Sequence, residues 1–556
     1  TGNIVVKADL LKNNKDGSFT IKSDFFKNIE DFYSIVDGDL VINNKYYSIE
    51  KNGTVQPQSS TVIIDHNNGD IKALVGARGN SKDDTINRAV NFHRQPGSSI
   101  KPLAVYTPAL DNNYTLASSL DDIPFYDGQG KQWPKNVYEG FKGISTLKQA
   151  LVESRNTTAV SVLNDLGIET SMKYLERFGL INPKDPENDT IVTSKEDPSS
   201  NDENLSLALG GLTRGSTTLD MASAYAGLAN KGERIESLVI KTIKSNKEGL
   251  IYDDNKNKTR VVSPEVAYLM TKALVATVDD QFTSPAKNPY DIQTAGKTGT
   301  TDNAMDFWFA GYTPYYTAAS WIGVDNGNIR LSGYSNQVAR LFGAYSKIIH
   351  EGLEAKNFDK PKGIVTREVC AISGQIPTDL CRLDPRGSQV IVEEFDEKTV
   401  PTKECEMHVS VTLDKRNYLL AKQGTPSGLL VNAVRVQRLK PYIPSANNNI
   451  VPADWKFEVP TMYSNLPIHL GPETIKNSDG STTVRQYLAD GTKIETTSYP
   501  DGTIITKVTD PNGKVTTTVK EPENTPEEPE VDDNTNVDDQ NNNSEGNNST
   551  NENNNQ

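Results

Sequence analysis

The chain has 556 residues and a formal net charge of −15, but residues 521–556 contain eleven acidic residues and no Lys or Arg, so the first 520 residues carry only −4. This near balance argues against a nucleic-acid partner, because there is no basic stripe to neutralise a phosphate backbone. With a mean hydropathy of −0.56 and no apolar run of about 18 residues, the sequence predicts no membrane-spanning helix.

The first 57 residues alternate short β-type segments with turns rich in Asn, Lys and Gly. Such runs predict strands bounded by turns. We therefore interpret residues 1–57 as a β-rich interdomain linker, with strands expected at Ile4–Ala8, Ser18–Ile21, Leu40–Ile42 and Tyr46–Ile49.

A β-hairpin is predicted next, because Thr61–Asp65 and Ile71–Val75 flank the turn sequence Asn67-Asn68-Gly69-Asp70. We expect this hairpin to open the sheet of a larger domain, residues 58–362, and to supply its central strands.

Ser98 is the best candidate nucleophile. Ser-x-x-Lys occurs four times in the chain, but only Ser98 follows a turn signal, Arg94–Gly97, and precedes helix-compatible sequence, Leu103–Leu110. Ser98 is therefore expected at a helix start, with Lys101 on the same face one turn later.

A serine hydroxyl needs a neighbouring base, and Lys101 can act as one only when it is neutral. An ordinary lysine has a pKa of about 10.4, so burial and a second cation would have to lower that of Lys101. Lys297 is the candidate for the second cation.

Ser154-Arg155-Asn156 is predicted to form a loop between two helices, Ser145–Glu153 and Thr157–Leu166. Such a loop can aim polar side chains precisely. We expect Ser154 to pass a proton to the leaving amine and Asn156 to hold a substrate amide.

The run Lys297-Thr298-Gly299-Thr300 lies in a predicted strand, residues 294–301, where glycines indicate close approach of another backbone. An extended peptide could add to this strand, with Lys297, Thr298 and Thr300 facing a carboxylate at its end. The backbone N–H groups of Ser98 and Thr300 could form an oxyanion hole.

The ordered motifs resemble the signature of penicillin-binding proteins and serine β-lactamases. Further segments are similar to the transpeptidase domain of class A penicillin-binding proteins: Ile86–Ala89, Arg94–Pro102, Leu207–Gly211, Ala222–Gly232 and Thr300–Pro314. The resemblance implies an α+β fold, with an antiparallel sheet packed between helices. It also implies D,D-transpeptidation of peptidoglycan stem peptides, from a D-Ala-D-Ala donor to an amine acceptor, inhibition by β-lactams, and no cofactor or catalytic metal.

Two departures from the pattern bear on the activity. Arg155 replaces the Asp of the middle motif and leaves the Ser and Asn roles intact. No Glu-x-x-Leu-Asn lies between Asn156 and Lys297, which favours a transpeptidase over a β-lactamase. A hydrolytic D,D-carboxypeptidase or β-lactamase and a non-catalytic β-lactam sensor remain as alternatives.

Bifunctional members of the resembled class also carry a membrane anchor and a glycosyltransferase domain upstream. Neither is visible in this sequence. We therefore expect an ectodomain fragment from the outer face of the membrane of a Gram-positive source, anchored only through an absent N-terminal segment.

Residues 363–470 are interpreted as an extension of the core, and they hold all three cysteines. Cys370, Cys381, Cys405 and His408 suit zinc by residue type, but ten residues separate the first two cysteines, where two to four are usual. A Cys370–Cys381 disulfide with a free Cys405 is the preferred interpretation.

The dipeptides Asp479-Gly480, Asp490-Gly491, Asp501-Gly502 and Asn512-Gly513 recur every eleven residues. They predict a meander of short strands over residues 471–520. Residues 521–556 contain only two aliphatic side chains, Val531 and Val537, so a disordered tail is expected.

Overall fold

The computed structural model describes two units. The described residues are 2–4, 11–14, 19–26, 32–36, 39–43, 47–49, 57–79, 86–253, 256–327, 329–466, 468, 471–488 and 490–522. The first unit comprises residues 1–411 and 434–459, and the second comprises residues 412–433 and 460–556. The expected disorder of residues 521–556 falls almost entirely outside the described residues.

Strands are numbered in chain order. Those that begin in the first unit, together with β21, are β1 (Gly2–Ile4), β2 (Leu11–Asn13), β3 (Phe19–Ile21), β4 (Tyr33–Val36), β5 (Asp39–Ile42), β6 (Tyr47–Ile49), β7 (Gln58–Asp65), β8 (Asp70–Val75), β9 (Ser119–Asp122), β10 (Gly143–Thr146), β11 (Glu233–Ile235), β12 (Thr242–Ser245), β13 (Gly249–Asp253), β14 (Lys258–Arg260), β15 (Ala295–Thr300), β16 (Asp306–Tyr312), β17 (Thr317–Gly323), β18 (Ile364–Cys370), β19 (Val390–Asp396), β20 (His408–Asp414) and β21 (Leu430–Val436).

The α-helices are α1 (Thr107–Asp111), α2 (Leu147–Val152), α3 (Asn156–Leu166), α4 (Ile168–Arg177), α5 (Thr218–Ala229), α6 (Pro264–Asp279), α7 (Asn336–Ile349) and α8 (Asp379–Arg382). A π-helical turn spans Pro102–Tyr106. Short 3₁₀ helices span Ser23–Phe26, Gly97–Ile100, Pro186–Asn188, Leu205–Leu209, Ser284–Ala286, Asp302–Ala304, Ser427–Leu429, Pro444–Asn447 and Trp455–Phe457. None of the described helices is long and apolar enough to cross a bilayer.

A five-stranded antiparallel sheet, ordered β15-β16-β17-β7-β8, forms the centre of the first unit. Alternate side chains of β16 belong to different cores, as the period of two in a strand requires. Trp308 and Ala310 pack in the core that contains α5 and α6 residues, while Phe307 and Phe309 pack with α7 residues. This confirms the predicted antiparallel sheet between helices.

The predicted hairpin is present as β7 and β8, with the turn closed between Asp65 and Asp70. Its expected central position is wrong, because β8 is an edge strand and β7 is its neighbour. β17 takes the middle position by pairing β7 on one side and β16 on the other. A hairpin sequence predicts local pairing, whereas its place in the sheet depends on distant strands.

The N-terminal segments form two-stranded pairs, β1 with β6, β2 with β3 and β4 with β5. Strands predicted near Ser18, Leu40 and Tyr46 are present as β3, β5 and β6. Residues 5–8 of the strand predicted at Ile4–Ala8 lie outside the described residues, and β1 ends at Ile4.

The preferred Cys370–Cys381 disulfide is wrong, because Cys370, Cys381 and Cys405 are all free thiols. Each is buried in a small cluster with Ile372 and Met407. Cys370 ends β18 and Cys381 lies in α8, yet both approach Cys405 and His408 at the start of β20. Sequence spacing gave no sign of this convergence, since it depends on how three separate segments pack.

The second unit contains a five-stranded antiparallel meander, as predicted from the eleven-residue repeat. Its strands are β22 (Glu473–Lys476), β23 (Thr482–Tyr487), β24 (Lys493–Ser498), β25 (Ile504–Thr509) and β26 (Val515–Lys520). They pair in chain order. Each repeat glycine adopts a left-handed backbone, with φ between 82° and 93° at Gly480, Gly491, Gly502 and Gly513, which is the reason that turn position favours glycine.

Candidate active site

Ser98 lies in a tight 3₁₀ turn, Gly97–Ile100, directly before the Pro102–Tyr106 turn. Its side chain is half-buried, whereas Ser99 is fully buried and donates its hydroxyl to Pro96 O at 2.7 Å. No described residue makes a hydrogen bond to the Ser98 hydroxyl. Of the two adjacent serines, Ser98 is therefore the one that can meet a substrate.

Lys101 is completely buried one turn after Ser98, and its backbone N–H donates to Ser98 O. Its Nζ donates to Ser154 O and Asn156 Oδ1, both at 2.7 Å, and to Arg155 O at 3.2 Å. The Ser154 hydroxyl lies 3.4 Å from the same Nζ. Burial, and then the nearby charge of Lys297, hold the pKa of Lys101 well below its ordinary value.

Ser154 adopts a left-handed backbone with φ of 54°, which is uncommon for a residue with a side chain. Such a conformation costs about 1–3 kcal/mol and is typical of functional sites. It turns the chain between α2 and α3, so that Ser154 O and Oγ both face Lys101. The predicted helix–loop–helix is present, but Ser145 and Thr146 belong to β10 rather than to the first helix, and Asn156 is already the first residue of α3.

Asn156 starts α3, and its amide already has partners at both ends. Its Oδ1 accepts from Lys101, while its Nδ2 donates to Lys135 O at 2.8 Å. The second N–H of Nδ2 can still donate a hydrogen bond to a substrate. The principal contact of Asn156 is therefore with the lysine, which sequence reasoning missed.

Lys297 is almost fully buried on β15, the edge strand opposite β8. Burial lowers its pKa to about 8, partly offset by the negative charge of Asp280. Its Nζ donates to Thr298 O at 3.2 Å. The charge of Lys297 in turn contributes, after burial, to the lowered pKa of Lys101.

Glycines allow the backbone of β15 to pack directly against the backbone of the Ser98 turn. Gly97 has φ of 53°, and a Cβ there would lie 2.4 Å from Thr300 O. A Cβ on Gly299 would lie 2.2 Å from Pro96 O, and one on Gly210 would lie 2.4 Å from Gly97 O. Since such approaches are impossible for a real side chain, Gly97 and Gly299 set how closely the strand and the turn pack, and Gly210 sets how closely its own segment packs on Gly97.

The backbone of Thr300 faces the free edge of the sheet. Thr301 N donates to Asp306 O at 3.2 Å, so that pair is hydrogen-bonded across β15 and β16. Hydrogen-bonded and non-hydrogen-bonded pairs alternate in an antiparallel ladder. Thr300, which pairs with Phe307, therefore turns its N–H away from β16 and toward the side on which Gly97 lies.

The carboxylate of Asp306 joins the beginning of the Ser98 segment to the end of β15. It accepts from Arg94 Nε at 2.6 Å, from Thr301 Oγ1 at 3.1 Å and from Trp321 Nε1 at 2.9 Å. This buried charge holds two of the three motifs in register. No sequence motif distinguishes Asp306 from other acidic residues.

Asp122, also missed by sequence reasoning, supports the Ser154–Asn156 loop from behind. Its buried carboxylate accepts from Asn136 Nδ2, Tyr138 OH and Lys142 N, each at 2.7 Å, and from Thr157 Oγ1. Asn136 Oδ1 in turn accepts from Asn156 N at 2.7 Å. Asp122 thereby fixes the position from which Asn156 reaches Lys101.

We expect Asp122→Ala to lower the free energy of unfolding by about 3 kcal/mol or more, because four donors, of which Thr157 Oγ1 is buried, lose one buried charged acceptor. Asp127→Ala is the matched control, since within the described part of the chain its carboxylate accepts only from two exposed backbone N–H groups, and it should cost about 1 kcal/mol. Urea unfolding measures both changes. Equal costs for the two variants would contradict the role given to Asp122.

Two family models match the chain. The penicillin binding protein transpeptidase domain matches residues 59–340, and the penicillin-binding protein 1A C-terminal domain matches residues 360–410. The first model covers half of the chain and includes every motif of the candidate site. The chain therefore belongs to the penicillin-binding protein transpeptidase family.

Curated relatives agree with this assignment. Penicillin-binding protein 1A of Clostridium botulinum (strain Hall) is 35% identical over 435 residues, which cover 76% of this chain and 50% of the relative. Penicillin-binding protein 1F of Bacillus subtilis (strain 168) is 32% identical, covering 61% of this chain and 48% of the relative. The chain spans about half the length of the curated relatives that it matches. The class A resemblance drawn from the motifs is confirmed.

Among solved structures, Penicillin-Binding Protein 1A from Haemophilus influenzae has a TM-score of 0.52 and 22% sequence identity. The match covers 71% of this chain and 57% of that chain. At this identity the likeness supports the fold alone.

Proposed function

We propose that the chain is a serine D,D-transpeptidase that cross-links peptidoglycan stem peptides through an ester on Ser98. The observation that carries this proposal is the burial of Lys101 among Ser154, Arg155 and Asn156, one turn from Ser98 and coupled to Lys297. A lysine with a lowered pKa has a neutral fraction that can remove a proton from a hydroxyl.

Lys101 Nζ has no hydrogen bond to the Ser98 hydroxyl among those that the structure describes, and catalytic hydrogen bonds often form only in the substrate complex. In the first step, neutral Lys101 would then take the Ser98 proton as Ser98 Oγ attacks the carbonyl between the two terminal D-Ala residues. The backbone N–H groups of Ser98 and Thr300 would hold the oxyanion, and one such donor contributes typically ~10²–10³ in rate. The terminal D-Ala then leaves with a proton delivered through Ser154, whose hydroxyl lies 3.4 Å from Lys101 Nζ.

In the second step, the amine of another stem peptide attacks the Ser98 ester, gives up a proton and releases the serine hydroxyl. The donor peptide would bind as an added strand on the free edge of β15, where Lys297, Thr298 and Thr300 face its terminal carboxylate. Gly299 allows the close backbone approach that this binding requires.

β-Lactam antibiotics are the second class of ligand that we propose, because a strained cyclic amide can acylate the same hydroxyl. No carboxylate is among the described hydrogen-bond partners of Lys101, which favours a long-lived ester over its hydrolysis by water. The outer face of the cell membrane, where stem peptides are cross-linked, is the proposed place of action.

Intact mass spectrometry after treatment with a penicillin tests the nucleophile. We expect one adduct per chain, located on Ser98, lost in Ser98→Ala and retained in Ser99→Ala. The Ser99 variant is the matched control, because it removes the adjacent hydroxyl that donates to Pro96. An adduct on another residue, or none, would refute the proposed nucleophile.

The lifetime of the adduct and the fate of a donor peptide separate the alternatives. Loss of the adduct within seconds would identify a hydrolase. A stable adduct without release of D-Ala from a D-Ala-D-Ala donor would identify a sensor. Release of D-Ala together with transfer of the acyl group to an added amine is the result expected for a transpeptidase.

A further inference from the structure

A second cluster of reactive side chains lies away from the candidate active site. Cys370, Cys381, Cys405 and His408 are all buried, and their ligand atoms all lie within 4.8 Å of one another. Every one of these residues falls within residues 360–410, the region matched by the penicillin-binding protein 1A C-terminal domain.

We propose that these four side chains bind one structural Zn²⁺ ion. Three thiolates and one imidazole are a common ligand set for tetrahedral structural zinc, with Zn–S bonds of about 2.3 Å. Ligand atoms around such an ion are about 3.8 Å apart, so the largest separation here must contract by only about 1 Å. The sulfurs of Cys370 and Cys405 each lie 3.4 Å from His408 Nδ1.

The surroundings of His408 suit a metal ligand. Its Nε2 lies 2.8 Å from Asp384 Oδ2, and Asp384 is fully buried and also bonded by Arg386. When Nε2 carries the proton and donates to this carboxylate, the lone pair of Nδ1 points at the sulfurs. A carboxylate that orients a histidine in this way is typical of zinc sites.

Two of the three sulfurs also accept hydrogen bonds from backbone N–H groups. Ile372 N donates to Cys370 Sγ at 3.4 Å, and Thr378 N donates to Cys381 Sγ at 3.3 Å. The loops that carry the cysteines are joined by the backbone, since Cys405 N donates to Ile376 O at 2.8 Å. The ligands are therefore held in place by several independent contacts.

A metal explains this region better than a disulfide does. Three cysteines cannot pair completely, so any disulfide would leave a third buried thiol beside it. The local core is small, with Cys370, Cys381 and Cys405 making up half of its fully buried residues. Small cores of this kind are often stabilised by a metal ion.

The zinc content and the thiol content of the purified chain test the proposal directly. Elemental analysis after growth in zinc-supplemented medium should give one zinc per chain. Thiol titration in denaturant with a chelator should give three reactive thiols. One thiol per chain without zinc would establish a disulfide and overturn the proposal, as would three thiols with no bound metal.

Cobalt substitution tests the geometry without changing the protein. Co²⁺ added to the chelator-treated chain should produce thiolate-to-cobalt charge-transfer bands and the intense visible bands of a tetrahedral site, saturating at one equivalent. Weak octahedral bands, or no bands, would overturn the proposed ligand set. This readout is independent of acylation at Ser98, so failure here leaves the proposed function untouched.

Variants identify the ligands. Cys405→Ser and His408→Gln should lose bound zinc, whereas Glu406→Gln, an exposed neighbour between them, should retain one equivalent. Asp384→Asn should weaken zinc binding about 10–100-fold in competition with a chelator, because it orients a ligand without being one. Unchanged zinc content in both ligand variants would overturn the assignment, and cobalt spectra of the unmutated chain decide the question where a variant fails to fold.

Discussion

Lys101→Met should reduce the rate of acylation by penicillin by about 10²–10⁴-fold, the usual contribution of a general base. Methionine fills nearly the same buried volume but cannot take the Ser98 proton. It also cannot donate to Ser154 O, Asn156 Oδ1 and Arg155 O, which all accept from Lys101 in the structure. The second-order rate constant with a fluorescent penicillin measures the effect.

Lys101→Arg separates the two roles of the residue. An arginine keeps a positive charge and can donate to the same carbonyls, but it is not deprotonated in proteins. If Lys101 acts as the base, Lys101→Arg should be as slow as Lys101→Met. Near-normal acylation in the arginine variant would mean that the lysine only positions the loop around Ser154.

Lys297→Met should slow acylation near pH 7 by about 10–1,000-fold. Removing a like charge raises the pKa of Lys101, and nearby charges typically shift a pKa by about 1–3 units, each unit being tenfold in the neutral fraction. The rising limb of the pH–rate profile should therefore move to higher pH. The profile measured between neutral and alkaline pH checks this, and a limb that stays in place would contradict the coupling between the two lysines.

The same variant should gain stability while losing activity. The folded chain releases the Lys297 proton at a pKa of about 8, whereas the unfolded chain keeps it until about 10.4. Stability of the parent therefore rises between these two values, and at pH 7 the buried ammonium destabilises the fold by about 3 kcal/mol. Lys297→Met should be more stable than the parent at pH 7, with the difference shrinking as the pH rises from 8 to 10.4. Urea unfolding at several pH values measures this trend.

The parts of the site that sequence predicted are those with strong local signals. The turn before Ser98, the loop at Ser154 and the strand carrying Lys297 each have glycine, proline or periodic apolar residues that define them. Their order along the chain, together with the family resemblance, predicted that the three segments meet in one cleft. The lowering of the Lys101 pKa by Lys297 was predicted from the like charges of the two residues.

The parts that sequence missed depend on contacts between distant residues. The sequence does not distinguish Asp122 and Asp306 from other acidic residues. Only the fold shows that hydrogen-bond donors surround each carboxylate. The sequence predicted that Asn156 faces the substrate. In the structure, the amide oxygen of Asn156 instead accepts a hydrogen bond from the buried Lys101. The disulfide prediction failed for a similar reason, because spacing along the chain does not report which cysteines converge in space.

The packing of Gly97 and Gly299 limits which substitutions the Ser98 turn can tolerate. Any side chain at Gly97 or Gly299 would push the Ser98 turn away from the strand that carries Lys297, Thr298 and Thr300. Under the proposed function, an antibiotic that imitates the donor peptide would depend on the same spacing as the donor, so a substitution at Gly97 or Gly299 would impair the reaction with both.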